Sequence, residues 1–574
     1  MPEMKDDDNK AKPSAPRALV AKVQRLASLP AKRRVAKIVA DPQGRELVQA
    51  MAEEELYLTF KEAGDHEGLP LLELASPEQR QYVTDLDFWQ KDEFNQERAL
   101  DWIVLLQEAG PAALKTWLRE NDSELICLIL KKWIRVHTWD RQQDAEEPPF
   151  FSLDQVYYLE FMEPRREKDL KRFLTALAED DLASYHQILE NVAWHTDADF
   201  EDYLLHFRTA RLAEKGFPDL DEAHAVYAPL SPERFAGTEA AGTLSTPTPP
   251  ADARLAPEYA MVRQPEGTLF RAAMGEVREA RDLDRIKREV AALANRVLVA
   301  DGKTPDDVTA VEASLGKVAG YISIGLERLV SWDVPRAAGL VARAPLTLLF
   351  QVGFEGVLKV QRQAEVQVVA WLRACGLSPA FLGEPWNGEI QGLLRKRPKR
   401  HCGSRAGEPL YEEFASLRQL RELERSVATA HLVGSVLLAL MPAASWAAGW
   451  RSLERRDPEK APLLTWRAVL LSAFARGVLS SRFVPERLAL AEIREFLEKI
   501  WEPQSRPSRV AAPWRLELAT WLGGLARRLP EEMEPVVADL SATLEGEFGE
   551  ATPAELERKY LETLFLVEAE NAGV

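Results

Sequence analysis

The chain has 574 residues, of which 46% are hydrophobic and 29% charged, and its formal net charge is −18. This composition supports a large buried core and excludes a disordered acidic chain. At roughly 150 residues per domain, the length predicts two to four domains. The acidic balance argues against a general nucleic-acid coat, because binding to phosphates needs a basic face. Three cysteines cannot form a disulfide framework in so long a chain, so the reducing cytoplasm is the expected location.

The N-terminal segment, residues 1–16, is polar and acidic and is predicted to be a disordered tail. A secretory signal would need a basic start and an apolar stretch, and this segment has neither. Residues 428–450 form an uncharged run that is long enough to cross a bilayer. Its many alanines and its polar interruptions weaken membrane transfer, so we expect a buried helix pair broken at Pro442 and no membrane span.

Hydrophobic periodicity predicts helices along most of the chain. Residues 98–108 place Trp102, Ile103 and Leu106 on one stripe, and residues 124–137 have the pattern of one buried helix that ends in basic residues. Alternating strand runs are few, and several prolines follow capping side chains, as is typical of helix starts. The predicted fold class is all-α.

A repeat is visible in the N-terminal part. Pro42, Pro77 and Pro111 are spaced 35 and 34 residues apart, and each opens a similar run. A period near 34 fits two helices and two turns, a unit that must stack on neighbours to bury its apolar face. We therefore predict a solenoid-like domain of helical hairpins over residues 17–235.

A segment rich in Pro, Gly and Ala, residues 236–267, lacks helical periodicity and is predicted to be a linker. It separates the helical-repeat domain, residues 17–235, from a second helical domain, residues 268–574.

Three stretches, LANRVLVAD (293–301), LFQVGF (349–354) and LLRKRP (393–398), resemble a large uncharacterised bacterial family, a domain of unknown function that covers nearly the full chain. This resemblance implies no activity and no catalytic residues. Residues 17–139 are also similar to the helical-repeat domain at the N-terminus of magnesium-transporter proteins and in flagellar motor switch proteins. The second similarity rests on acidic-proline helix starts such as Asp41-Pro42, and it implies an interaction module.

Nucleotide-binding loops of the standard types are absent from the sequence. Gly316-Lys317 is followed by Val318, and position 311 is valine where a phosphate loop needs its first glycine. Ser314 and Lys317 match the S-x-x-K motif, but its companion S-D-N and K-T-G elements are missing. We therefore interpret Ser314 and Lys317 as two exposed helix residues, and no cofactor is predicted.

A group of histidines and acids is a candidate metal site. A hydrolytic metal would need two or three nitrogen and oxygen ligands and an open position. The spacings between the histidines match no standard ligand pattern, and carboxylates are frequent in this segment. The alternative is a solvated acidic face, which could dock a basic partner. The candidate ligands are His186, Glu190, His195 and His206.

The most basic stretch, residues 395–405, allows several interpretations. Its cations would favour the thiolate form of Cys402, which is therefore the best candidate for a reactive thiol. The stretch could also bind phosphate, RNA or an acidic partner, dock on the acidic residues 139–202 of the same chain, or remain a solvated loop. The basic candidates are Arg395, Lys396, Arg397, Lys399 and Arg400.

The fifteen tryptophans are expected mostly in the core, and one or two exposed ones would mark the partner surface. The favoured function is a non-catalytic cytoplasmic adaptor or scaffold that binds an unknown protein through helical surfaces. One alternative is a metal-dependent hydrolase that uses the region of His186, His195 and His206. The other is a regulator that binds nucleic acid or phosphate through residues 395–405.

Overall fold

The structure is a computed structural model that describes residues 17–90, 92–139, 148–240, 254–263, 265–405, 407–443, 445–446, 464–503, 505–557, 561 and 564–567. The described residues are mainly α-helical and carry only short two-stranded sheets, which confirms the predicted fold class.

The first helices are α1 (Arg17–Ala27), α2 (Ala31–Val39), α3 (Gly44–Ala50), α4 (Glu53–Ala63), α5 (Asp65–Leu74), α6 (Pro77–Asp87), α7 (Gln96–Ala109), α8 (Pro111–Glu120) and α9 (Ser123–Lys131). They are followed by α10 (Glu167–Asp180), α11 (Leu182–Trp194), α12 (Asp197–Glu214), α13 (Leu220–His224), α14 (Pro232–Ala240), α15 (Tyr259–Val262), α16 (Leu269–Glu276), α17 (Ala280–Ala300), α18 (Val308–Val330) and α19 (Val334–Arg343). The later helices are α20 (Leu346–Ala364), α21 (Ala370–Ala374), α22 (Trp386–Leu393), α23 (Leu417–Leu440), α24 (Trp466–Ser480), α25 (Leu490–Ile500), α26 (Ala512–Ala526) and α27 (Glu534–Phe548). Short 3₁₀ turns cover Ala225–Tyr227, Pro379–Leu382, Pro530–Met533 and Pro553–Glu555, and a π-turn covers Glu365–Val369.

In the part of the chain that the structure describes, six short strands form three antiparallel pairs. They are β1 (Trp89–Gln90) with β2 (Glu93–Phe94), β3 (Ile134–Thr138) with β4 (Tyr157–Phe161), and β5 (Arg400–Arg405) with β6 (Glu408–Glu412).

The chain forms two compact units, Met1–Gly353 and Phe354–Val574. Both boundaries of the predicted linker lie within the first unit. At the C-terminal side of that segment, Glu258 forms an ion pair of 2.5 Å with Lys287, while residues 241–253 and 264 lie outside the described residues. The division into domains at residues 235 and 268 stays a prediction, and so does the disordered tail at residues 1–16, which lies outside the described residues.

The three predicted repeat helices are all present. The helices α6 and α8 begin at Pro77 and Pro111, whereas α3 begins at Gly44, two residues after Pro42. At α6 the side chain of Ser76 caps the helix, and proline fits there because its missing N–H has no partner in a first turn. The solenoid arrangement itself stays a prediction.

Arg34 joins the first elements of the first unit. Its guanidinium donates to the carbonyl oxygens of Leu26, Ala27 and Leu29 at the end of α1, at 2.7–3.1 Å. On the other side it donates to the hydroxyl of Thr59 at 2.7 Å and lies 3.4 Å from the carboxylate of Glu55. The arginine therefore satisfies terminal carbonyls of α1 while it pairs with a buried acid of α4.

Aromatic side chains fill the space between α4, α6 and α7. The rings of Phe60 and Phe88 lie 5.4 and 5.6 Å from that of Trp102, and the indole N–H of Trp102 donates to Asp87 at 2.5 Å. The stripe Trp102, Ile103 and Leu106 is buried as predicted. This packing fixes the position of α7 against α4 and α6.

Helices α18 and α20 approach so closely that a side chain would not fit at their crossing. A Cβ on Gly325 would overlap the carbonyl oxygen of Leu349, and a Cβ on Gly353 would overlap that of Tyr321. Only glycine permits such a backbone contact, and the two glycines therefore set the distance between the helices.

In the second unit, the indole rings of Trp386 and Trp466 stack with centroids 5.1 Å apart. Arg467 lies over the ring of Trp466 at 4.9 Å and holds the carboxylate of Asp539 with two hydrogen bonds, of 2.7 and 3.0 Å. This arrangement ties α22 and α24 to α27.

The predicted helix over residues 124–137 is wrong in its second half. The helix α9 ends at Lys131, and β3 begins at Ile134 and pairs with β4. The reason is that Ile134 and Val136 are β-branched, alternate with polar residues, and find a partner strand that is distant in sequence.

The helix α23 ends at Leu440, two residues before Pro442, in agreement with a break at that proline. Among the described residues it is the helix that is long and apolar enough to cross a membrane, by length and composition alone. Residues 444 and 447–463 lie outside the described residues, and the absence of a membrane span stays a prediction.

Candidate functional site

Three exposed aromatic side chains lie on two consecutive helices of the first unit. Trp194, the last residue of α11, is 80% exposed, and Tyr203 and Phe207 on α12 are 43% and 44% exposed. The rings of Tyr203 and Phe207 lie 4.9 Å apart. We call Trp194, Tyr203 and Phe207 the aromatic surface.

The local sequence explains why Trp194 points away from the core. The buried stripe of α11 is formed by Tyr185, Ile188, Leu189 and Val192, which leaves the final residue outside it. A capping box then starts the next helix, with Asp199 N–H bonded to the hydroxyl of Thr196 at 3.4 Å and Thr196 N–H bonded to Asp199 at 3.0 Å. Helix α11 ends at Trp194, two residues before Thr196, which caps the start of α12.

Helix α12 is held on α6 by two arginines that bind Asp85. Arg211 forms two hydrogen bonds of 2.7 and 2.8 Å to the carboxylate of Asp85, and Arg208 donates to the carbonyl oxygen of the same aspartate at 2.7 Å. Phe200 and Leu204 are buried. Phe207 lines the same pocket as Asp85, Arg208 and Arg211, and its ring stays partly exposed to solvent.

Negative charge accompanies the aromatic surface. Residues 190–207 contain five carboxylates and neither lysine nor arginine. The hydrogen bonds from Thr196 lower the pKa of Asp199, and the N-terminus of α12 favours nearby negative charge. The segment therefore combines exposed rings with five carboxylates. The five carboxylates, here called the acidic rim, are Glu190, Asp197, Asp199, Glu201 and Asp202.

Two of the four candidate metal ligands, His186 and Glu190, contact residues of the segment 154–157. His186 Nε2 lies 2.7 Å from Asp154 Oδ2, and the hydroxyl of Tyr157 donates to Glu190 Oε1 at 2.8 Å. Backbone N–H groups and His186 lower the pKa of Asp154, although burial works in the opposite direction. Each of the two candidates thus already has a polar protein partner.

The other two histidines lie elsewhere. The ring of His195 contacts that of Phe200 at 5.7 Å, and the ring of His206 contacts that of Phe207 at 5.3 Å. Among the residues that the structure describes, no group of three or more His, Cys, Asp or Glu side chains is arranged to hold a metal ion.

The S-x-x-K residues are not exposed, contrary to expectation. Ser314 and Lys317 are 5% and 2% exposed, and Lys317 Nζ lies 2.7 Å from Asp301 Oδ2. The hydroxyl of Tyr227 donates to the same carboxylate at 2.8 Å. The prediction that Lys317 is exposed was wrong because its ion-pair partner, Asp301, lies outside the local sequence pattern. An ammonium group held by a carboxylate is a poor general base, so this pair is structural.

Two of the five basic candidates pair with neighbouring acids, and a third lies over a tyrosine ring. Lys399 lies 3.2 Å from Glu413, Arg400 pairs with Glu412, and the guanidinium of Arg395 lies 4.0 Å from the ring centroid of Tyr411. Lys396 is exposed and Arg397 is half-buried.

Cys402 is exposed, whereas Cys127 and Cys375 are buried. Burial raises the pKa of Cys127 to about 12 and also raises that of Cys375. Accessibility therefore singles out Cys402 among the three thiols. Its neighbour His401 is 7% exposed and lies 4.0 Å from Glu384, because successive residues of a strand point to opposite faces.

Sequence reasoning missed a group of buried polar residues behind this hairpin. Glu389 Oε2 and the hydroxyl of Tyr411 are buried without a hydrogen-bond partner, and the rings of Tyr411 and His401 lie 5.7 Å apart. Burial raises the pKa of Glu389. The approach of β5 and β6 to α22 brings these residues together, and no local spacing in the sequence indicates it.

Comparison with known proteins gives one match. Residues 12–568 match the family of unknown function DUF6178. No curated protein and no solved structure matches. Since the match covers nearly the whole length, the chain belongs to this family of unknown function.

Proposed function

We propose that the protein is a non-catalytic adaptor whose aromatic surface binds a basic segment of another protein. The occupant is a stretch of lysine and arginine residues that carries at least one apolar or aromatic side chain. The observation that carries this proposal is the 80% exposure of Trp194 beside the acidic rim.

The exposed rings supply the binding energy. A tryptophan in water is unfavourable, and Trp, Tyr and Arg are the residues that contribute most at protein interfaces. Tyr203 and Phe207 are already in contact, and their helix is held by Asp85, so binding would order few further groups. Such preorganisation reduces the entropic cost of association.

The negative charge of the acidic rim determines which class of partner can bind. Carboxylates at the rim attract a basic segment and repel nucleic acid, which raises the rate of correct encounters. The similarity of residues 17–139 to interaction domains, stated above, agrees with this function but remains a resemblance.

The metal-dependent hydrolase has less support, since His186 and Glu190 are engaged by Asp154 and Tyr157. The cytoplasmic location stays part of the proposal.

The test is photo-crosslinking in cells with the full chain carrying Trp194→p-benzoylphenylalanine. The matched control is Trp332→p-benzoylphenylalanine, since Trp332 is also an exposed tryptophan of the first unit, at 55%. Mass spectrometry then identifies the peptide attached at each position.

We expect position 194, and not 332, to capture one segment rich in lysine and arginine. A synthetic peptide of that segment should bind the purified chain, and Tyr203→Ala with Phe207→Ala should weaken it at least about tenfold. An acidic or neutral segment, equal capture at both positions, or unchanged peptide affinity would each contradict the proposal.

A further inference from the structure

The helix α26 of the second unit is apolar on nearly all sides, but only one side of it is packed. Within Ala512–Ala526, Arg515 and Glu517 are the charged residues. A helix that is hydrophobic all round is normally buried all round. The packed side contacts α23 and α27, and its buried residues are Leu518, Ala519, Leu522 and Gly523.

The other side of α26 is exposed along its whole length. Pro513, Leu516, Thr520 and Gly524 follow one another at intervals of three or four residues, so they lie on one side of the helix. All four residues are exposed, and Leu516 is 64% exposed. We call these four residues the outer face. A continuous uncharged surface of this kind is typical of a site of protein association.

The outer face has a large side chain on one side of its centre and no side chain on the other. Leu516 and Gly524 lie four residues before and after Thr520, about 6 Å along the helix axis in each direction. Nothing lies within 4 Å of a Cβ added to Gly524, so the surface there is open. When two such helices run antiparallel, the leucine of each meets the bare backbone of the other, which makes the outer face self-complementary.

The charges beside the outer face have the same symmetry. Glu517 adjoins its first half, and Arg527 follows the last residue of the helix. Both are exposed, and within the part of the chain that the structure describes neither has an ion-pair partner. Antiparallel pairing brings the acidic part of one helix toward the basic end of the other, whereas parallel pairing would bring like charges together. Shape and charge therefore both fit another copy of the same helix.

We propose that a second copy of this chain covers the outer face, with the two α26 helices antiparallel about a two-fold axis near Thr520. Each Leu516 then packs on Gly524 of the partner subunit, and each Glu517 lies toward Arg527 of the partner subunit. Every contact occurs twice, because the same surface is used by both copies. This inference does not depend on the adaptor function, since the aromatic surface belongs to the first unit.

Sedimentation velocity of the full chain tests the association. We expect a dimer at about 50 μM, and we expect Leu516→Glu to be monomeric at the same concentration, because it places a charge in the apolar contact. Leu516 is exposed, so this variant should fold, which circular dichroism checks. Leu410→Glu, at a leucine of β6 that is 42% exposed, is the matched control and should stay dimeric.

Charge reversal tests the antiparallel direction. Glu517→Arg and Arg527→Glu should each weaken the dimer by about tenfold, because each creates two contacts between like charges. The chain that carries both changes should recover the wild-type affinity, since the acidic and basic ends are then exchanged and attract again. These variants also test the proposal independently of Leu516→Glu.

A cysteine near the two-fold axis should face its own copy. In the Cys402→Ser background, which lacks the exposed native thiol, Thr520→Cys should form an intermolecular disulfide under mild oxidation. Ala542→Cys, at an exposed alanine of α27, is the matched control and should run as a monomer on a non-reducing gel.

The proposal is overturned if the full chain is monomeric even at about 100 μM, or if Leu516→Glu associates as tightly as the wild type does. It is also overturned if the double charge reversal fails to recover the affinity, or if Thr520→Cys forms no more disulfide than Ala542→Cys.

Discussion

Gly325 and Gly353 show how single hydrogen atoms control a helix crossing. Each glycine faces a carbonyl oxygen of the partner helix, at Leu349 and Tyr321. A methyl group at Gly325 would force α18 and α20 apart and disturb the buried residues around them. Overpacking of this kind costs about 1–3 kcal/mol and occasionally more.

We predict that Gly325→Ala lowers the free energy of unfolding by about 3 kcal/mol. The control is Gly316→Ala on the same helix, because nothing lies within 4 Å of the added Cβ there. That variant should gain stability, by up to about 1 kcal/mol from the higher helix propensity of alanine. Urea unfolding followed by circular dichroism measures both. Equal effects at the two positions would show that the close crossing does not exist.

At the scale of the elements, Arg34 holds α1, α2 and α4 together. Arg34 binds both the carbonyl groups at the end of α1 and the carboxylate of Glu55 in α4. Glu55 is only 2% exposed. Burial raises the pKa of Glu55, and Arg34 acts in the opposite direction. Removal of the arginine leaves a buried carboxylate without its cation, which is far more costly than the loss of a surface ion pair.

We predict that Arg34→Met costs about 3–5 kcal/mol at pH 7.5. The cost should depend on pH. Without Arg34 the folded-state pKa of Glu55 lies further above its unfolded value, so the folded state binds the proton more tightly. Stability is then retained below the unfolded pKa and lost as the pH rises through the folded pKa. The deficit should therefore be smaller near pH 5 than near pH 8.

Denaturant unfolding at several pH values measures this dependence. Lys32→Met, at an exposed cation two residues earlier in α2, is the control and should change little. In the Arg34→Met background, Glu55→Gln should remove the added pH dependence. A deficit that is constant from pH 5 to pH 8 would contradict the assigned role of Glu55.

Local patterns predicted the helices well and long-range contacts poorly. The stripe Trp102, Ile103 and Leu106 was found because its period lies within one element. The end of α9 was missed because β3 depends on pairing with β4, more than twenty residues later. Burial of Lys317 depends on Asp301 in the same way. A sequence pattern reports the period of an element but not its distant partner.

For the candidate sites, too, the sequence pattern did not identify partners that are distant in sequence. The carboxylates beside His186 were expected from composition, but its actual partner Asp154 lies 32 residues earlier. Exposure of a tryptophan was named as the mark of a partner surface, but which tryptophan is exposed depends on the cap that ends α11. A half-open pocket lined by Trp102 and Trp117 was not predicted either, because it arises from the packing of α5, α6, α7 and α8.

The charge of the whole molecule opposes nucleic-acid binding. The net charge is −18, and the basic stretch at residues 395–405 is its main exception. Within that stretch, Lys399 and Arg400 pair with acids, and Arg395 lies over Tyr411. A nucleic acid would have to displace these carboxylates and approach an anionic protein, so few phosphate contacts remain to drive counterion release.

We predict that the full chain binds a 30-nucleotide RNA, or single- or double-stranded DNA, more weakly than about 100 μM at 150 mM salt. Fluorescence anisotropy at 50, 150 and 200 mM salt measures the affinity and its salt dependence. The control carries Lys396→Gln and Arg397→Gln, which remove two charges of the stretch and leave Lys399 and Arg400 in place. Micromolar binding that falls steeply with salt and disappears in this variant would contradict the prediction, and it would transfer support from the adaptor to a regulator that acts through residues 395–405.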